Sequence, residues 1–145
     1  MVIAGLRRVL AAAAVMTCLP GTAGAAEIRA KTDVACRPAA DRLQYDCIVR
    51  LTNARTNEPL IGVTLMIGAD MPSMPMMHNV RPVQATAGTE LGTYQVRLEL
   101  EMHGDWALQL NLSGPVRDRV VTIIRFDPDR AMPAAAPKAL PRHKH

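Results

Sequence analysis

The chain is short of the residues on which most enzymes and nucleic-acid binders rely. Aromatics are scarce: one Trp, two Tyr and one Phe in 145 residues, namely Trp106, Tyr45, Tyr94 and Phe126. A surface that stacks bases needs aromatics among clustered basic residues. Neither feature is present, so no nucleic-acid partner is expected. Four histidines, with His143 and His145 at the very end, leave little material for acid–base catalysis. There is no Gly-x-Ser-x-Gly, no His-Glu-x-x-His and no phosphate loop. The chain reads as non-enzymatic.

Long apolar runs are also missing. A membrane-spanning helix needs about 20 apolar residues. The run 9–19 falls short of that, follows Arg7-Arg8 and precedes the small-x-small site Ala23-Gly24-Ala25. That order is the pattern of a cleaved secretory leader over residues 1–25. A lipidated Cys18 is the alternative, but Met16-Thr17 before it are not the small residues a lipidation box wants. Cleavage removes Arg7 and Arg8 and lowers the formal net charge of +4 by two. No later segment is apolar for long enough to span a membrane, so no transmembrane segment is expected in the mature chain.

Cysteine is nearly absent. Export removes Cys18 and leaves Cys36 and Cys47. Two cysteines in an oxidising compartment usually pair. A bridge between them would stabilise by about 2–3 kcal/mol on chain-entropy grounds. The competing reading, a redox dithiol, normally uses Cys-x-x-Cys spacing, which these residues lack.

What is present is a series of short strand patterns separated by turn residues. Strands are expected at 28–36, 44–51, 60–68, 80–87, 94–103, 106–112 and 119–126. The clearest is a hairpin. Tyr94, Val96, Leu98, Leu100 and Met102 alternate with polar residues, and Trp106, Leu108, Leu110 and Leu112 do the same. Period two puts one set in the core and the other in water. The turn between them is expected at Gly104-Asp105. About seven such strands predict an all-β, antiparallel immunoglobulin-like β-sandwich over residues 26–127. The Ala- and Pro-rich tail, 128–145, is expected to stay disordered.

One segment is chemically unusual. Asp70-Met71-Pro72-Ser73-Met74-Pro75-Met76-Met77-His78 carries four of the nine methionines. Two prolines exclude a helix or a central strand, so it reads as an exposed loop. Thioether sulfur is a soft neutral donor that favours Cu(I), and imidazole adds a nitrogen ligand. A polyproline-like path would put Met71, Met74 and Met77 on one edge. An extended path would put Met74, Met76 and His78 on one face. The metal-ligand pool is therefore Met71, Met74, Met76, Met77 and His78, with His103 as a further candidate if its turn lies near the loop. Two blander readings stand beside copper. The methionines could fill gaps under the loop, or offer an adaptable contact to a protein partner. Met102 falls on the apolar face of its strand and reads as core. His143 and His145 read as a solvated end.

The stretch 58–127 resembles the YtkA-like or FixH-like family of small exported domains. The resemblance rests on Asn53 through Pro59-Leu60, Asp70-Met71-Pro72 with its methionine run, Gly92-Thr93-Tyr94, and Met102-x-Gly104-x-Trp106-x-Leu108. It implies an immunoglobulin-like sandwich in the bacterial periplasm. It also implies a link to metal handling, or to assembly of membrane metalloenzymes with a membrane or periplasmic protein partner.

Overall fold

The computed structural model describes residues 27–134, all β-strand and connection. The leader, Cys18 and the tail beyond residue 134 lie outside the described residues. Nine strands follow one another: β1 (Ala30–Pro38), β2 (Gln44–Asn53), β3 (Thr64–Asp70), β4 (Asn79–Gln84), β5 (Thr86–Ala87), β6 (Thr93–Glu99), β7 (Gly104–Ser113), β8 (Asp118–Phe126) and β9 (Ala131–Pro133). They form two antiparallel sheets, ordered β1-β2-β6-β5 and β4-β3-β7-β8-β9. One core lies between them. Tyr45, Val49, Leu51 and Leu98 come from the first sheet, and Leu65, Ile67, Trp106, Leu108, Leu110 and Phe126 from the second. This is the all-β sandwich that the alternating patterns predict. Burying each such side chain stabilises by about 1.5–3 kcal/mol.

The strands exceed the expected seven for two reasons. The pattern over 80–87 divides: β4 pairs with β3 and β5 pairs with β6. Ala85 carries the chain from one sheet to the other. It is buried, and its N–H donates to the Leu65 carbonyl at 2.9 Å. The expected disordered tail also begins with structure. The Asp127 N–H donates to the Arg130 carbonyl at 2.8 Å, closing a turn around Pro128-Asp129. The chain then returns along β8 as β9. Proline followed by Asp is a turn signal as well as a chain-end signal.

Two boundaries move. The strand expected from residue 60 begins at Thr64. Leu60 and Val63 are served instead by one side chain. The Tyr94 hydroxyl donates to the Leu60 carbonyl at 2.9 Å and accepts from the Val63 N–H at 3.1 Å. The hairpin expected around Gly104-Asp105 is instead a crossing between sheets: β6 ends at Glu99 in the first sheet and β7 starts at Gly104 in the second. Leu100 is tied back by its N–H to the Leu43 carbonyl, and the Trp106 indole N–H takes the Met102 carbonyl at 3.1 Å.

Cys36 and Cys47 are bonded and stand directly opposite each other on β1 and β2. The bridge lies within one sheet. In antibody domains the conserved bridge runs between sheets. Here it fastens an edge strand to its neighbour.

Candidate metal-binding loop

The loop between β3 and β4 is two consecutive turns, neither polyproline-like nor extended. The Met74 N–H donates to the Met71 carbonyl at 3.0 Å, and the Met77 N–H to the Met74 carbonyl at 3.2 Å. Pro72 and Pro75 each take the second position of a turn, where their fixed φ fits. Met76 is third in its turn and has φ +67°. That is the left-handed region, where a large side chain is rare and glycine is at ease. The ends of the loop meet: the Met71 N–H reaches both the His78 carbonyl at 3.3 Å and the Asp70 carboxylate at 2.8 Å.

The turns sort the methionines. Met71 is buried among the core residues, so the expectation that it stands exposed in the loop is corrected. Its terminal methyl lies against Gly104. Met76 and Met77 stand in solvent at 86% and 76% exposure, and Met74 is 37% exposed. Of the two donor sets expected from regular paths, the one that includes Met71 is not exposed as a whole. Met74, Met76 and Met77 are accessible, and Met71 is not. Met76 borders a shallow hollow of about 300 Å³ on the outer face of the second sheet, beside Asp70, Pro82 and Gln109.

His78 ends the loop half-buried. Its Nδ1 lies 2.5 Å from a Glu101 carboxylate oxygen on the β6–β7 turn. That turn therefore does lie beside the methionine loop, the condition under which His103 joins the ligand pool. His103 itself is otherwise engaged. Its Nδ1 is 3.0 Å from the Tyr45 hydroxyl, which also donates to the Asp127 carbonyl at 2.9 Å. His103 lines a separate hollow with Pro38, Leu43 and Pro128. Burial, aided by the Asp127 charge, raises the Tyr45 hydroxyl above its ordinary value of 10.0. Met102 packs against the core, on the apolar side as its position in the alternation suggested.

Two partners were not legible from spacing. Glu101 reads as a solvated residue on the wet side of a strand, and Tyr45 as plain core. Only the meeting of segments far apart in the chain gives each a histidine. Among the described residues no group of three or more His, Cys, Asp or Glu is placed to hold a metal ion. Among them also, no helix is long and apolar enough to cross a membrane.

Comparison of the chain with protein-family models, with curated proteins and with solved structures finds no match.

Proposed function

We propose that this is an exported, non-enzymatic protein that holds or transfers Cu(I) through Met74, Met76, Met77 and His78. The observation that carries the reading is the exposure of Met76 and Met77 on a proline-bent loop, with Met76 in a backbone conformation that disfavours it. Strain of that kind costs on the order of 1 kcal/mol, and an observed backbone outlier of this kind supports a functional reading. Neutral, soft thioethers beside an imidazole suit Cu(I) better than a hard cation. Thioethers also survive in an oxidising compartment, where the Cys36–Cys47 bridge is at home. The YtkA-like or FixH-like resemblance adds the periplasm as the compartment of this proposal. Exposed donors on a surface loop suit exchange with another protein better than storage.

The test is Cu(I) titration against a competing chelator, comparing the wild type with Met74→Ala/Met76→Ala/His78→Ala. The proposal expects retention by the wild type and its loss in the variant. Equal, negligible retention by both would end it.

A second reading rests on the same exposed sulfurs. Met76 and Met77 would form an adaptable contact for a protein partner in the assembly of a membrane metalloprotein or an efflux complex. Capture of a membrane partner in the presence of a copper chelator would favour it.

A further inference from the structure

The loop supplies the sulfurs, but what fixes the direction of its imidazole comes from the connection between β6 and β7. We infer that Glu101 is a positioning residue of the proposed Cu(I) site: it holds the His78 ring with Nδ1 protonated and presents Nε2 to the metal. The inference rests on the Cu(I) reading and adds a residue from outside the methionine loop.

The contact between His78 Nδ1 and the Glu101 carboxylate is the starting point. A carboxylate oxygen can only accept. The hydrogen must therefore sit on Nδ1, and a neutral ring then carries its lone pair on Nε2. Histidine ligands in metal sites commonly give their second ring N–H to a carboxylate, which fixes the tautomer, aims the ring and raises the basicity of the ligating nitrogen.

Glu101 is placed to do this because its turn is fastened on both sides. Leu100 before it donates its N–H to the Leu43 carbonyl at 2.9 Å, and Met102 after it receives the Trp106 indole N–H at 3.1 Å. Leu100 and Trp106 are themselves buried. The Glu101 backbone thus rides on the core, while the loop that carries His78 is exposed over most of its length. At the other end, the His78 backbone is held by its carbonyl, which accepts from the Met71 N–H. Met71 is buried. Main chain and ring are each tied to a fixed part of the fold, and the ring nitrogen that remains is the one a metal would use.

His103, two residues from Glu101, provides a contrast. The Tyr45 hydroxyl has one hydrogen, and the Asp127 carbonyl needs it. Its oxygen must then accept from His103 Nδ1–H. Both described histidines are held with Nδ1 as the donor, one by a carboxylate at the loop and one by a phenol at a separate hollow. His78 follows the exposed thioethers Met76 and Met77, whereas the one methionine beside His103, Met102, is packed against the core.

The experiment has a metal-free arm and a metal-loaded arm. Long-range proton–nitrogen NMR of the ¹⁵N-labelled, metal-free protein reads the His78 tautomer. The wild type is expected to show Nδ1–H, and Glu101→Ala a shift toward Nε2–H. Competition titration with Cu(I) is expected to show about a 10-fold or greater loss for Glu101→Ala, with most of the affinity restored in Glu101→Gln, whose amide oxygen accepts the same N–H. In a His78→Ala background, Glu101→Ala should change nothing further. Unchanged melting of the Glu101 variants guards against a folding effect. An Nε2–H ring in the wild type, or a Glu101→Ala protein that binds Cu(I) as tightly as a binding wild type, overturns the role while leaving the metal reading intact. A wild type that holds no Cu(I) overturns both, and the tautomer spectrum then stands as a statement about the His78–Glu101 hydrogen bond alone.

Discussion

The terminal methyl of Met71 occupies the space beside Gly104 where a side chain would have to go. A Cβ built on Gly104 would lie 2.9 Å from it. Gly104 also has φ +140°, a conformation L side chains rarely adopt. The first methionine of the loop and the glycine of the Gly-x-Trp turn are thus a packing pair. Gly104→Ala is expected to destabilise by about 1–3 kcal/mol through backbone strain, since the Met71 methyl is the far end of a flexible side chain and can shift. Met71→Ala is expected to lose about 2–5 kcal/mol, and Met71→Leu less than about 1.5 kcal/mol. Denaturant unfolding measures all three. Each folded variant should still retain Cu(I), because Met71 is not in the proposed ligand set. Loss of Cu(I) by a folded Met71→Leu would place Met71 among the ligands.

Met76 gives the opposite expectation. Its φ of +67° favours glycine, and its side chain is almost wholly exposed. Met76→Gly should leave stability unchanged or raise it by up to about 1 kcal/mol, the left-handed strain relieved being partly offset by glycine's unfolded-state entropy. Its Cu(I) affinity should fall. A clear loss of stability would show that the Met76 side chain packs in the native protein, which runs against the reading of an exposed donor.

Tyr45 links the core to the turn that carries His103. Tyr45→Phe removes a hydroxyl that serves both Asp127 and His103. The expected cost is about 1–3 kcal/mol. Its pH dependence has a definite sign. Burial first, and the Asp127 charge second, raise this phenol above 10.0 in the folded protein. A raised value means that the folded state keeps its proton more tightly than the unfolded chain. The contribution is complete below about pH 10 and is lost as pH rises above it. Stability measured toward alkaline pH should fall less steeply in Tyr45→Phe than in the wild type.

Asp118 sets the acid limb. Its carboxylate accepts from the Ala30 N–H at 2.8 Å and the Arg119 N–H at 2.8 Å, and pairs with Arg29, so it pins the start of β1 to β8. Burial alone would raise this carboxyl, but the two backbone N–H groups and the Arg29 guanidinium outweigh it and hold it below 3.8. A lowered value contributes stability above the unfolded carboxylate range, and that contribution is lost as pH falls through it. Asp118→Asn should therefore be less stable at neutral pH, with the gap to the wild type closing in acid. A constant gap from neutral pH to pH 2 would contradict this.

Much of the sandwich was legible because its strands alternate. The runs Tyr94-Val96-Leu98 and Trp106-Leu108-Leu110-Leu112 state their inward faces directly, and those residues are the core. The cysteine pair was legible too, though its place within one sheet was not. What was hidden depends on contacts between distant segments. The switch of sheets at Ala85 is marked only by a small residue in a weak pattern. The burial of Met71 depends on a glycine in another hairpin. The shape of the loop carried a signal that a regular path ignores: Met-Pro-Ser-Met and Met-Pro-Met-Met each place proline second in a four-residue turn. Glu101 lies in the β6–β7 connection and His78 in the β3–β4 loop, and no sequence spacing announces their meeting.

If thioether sulfur and one imidazole bind Cu(I), X-ray absorption at the copper edge of the Cu(I)-loaded protein will show a mixed shell of sulfur and nitrogen in the wild type, with the nitrogen lost in His78→Ala and sulfur reduced in Met76→Gly. A shell of nitrogen and oxygen alone, unchanged by either substitution, would contradict it.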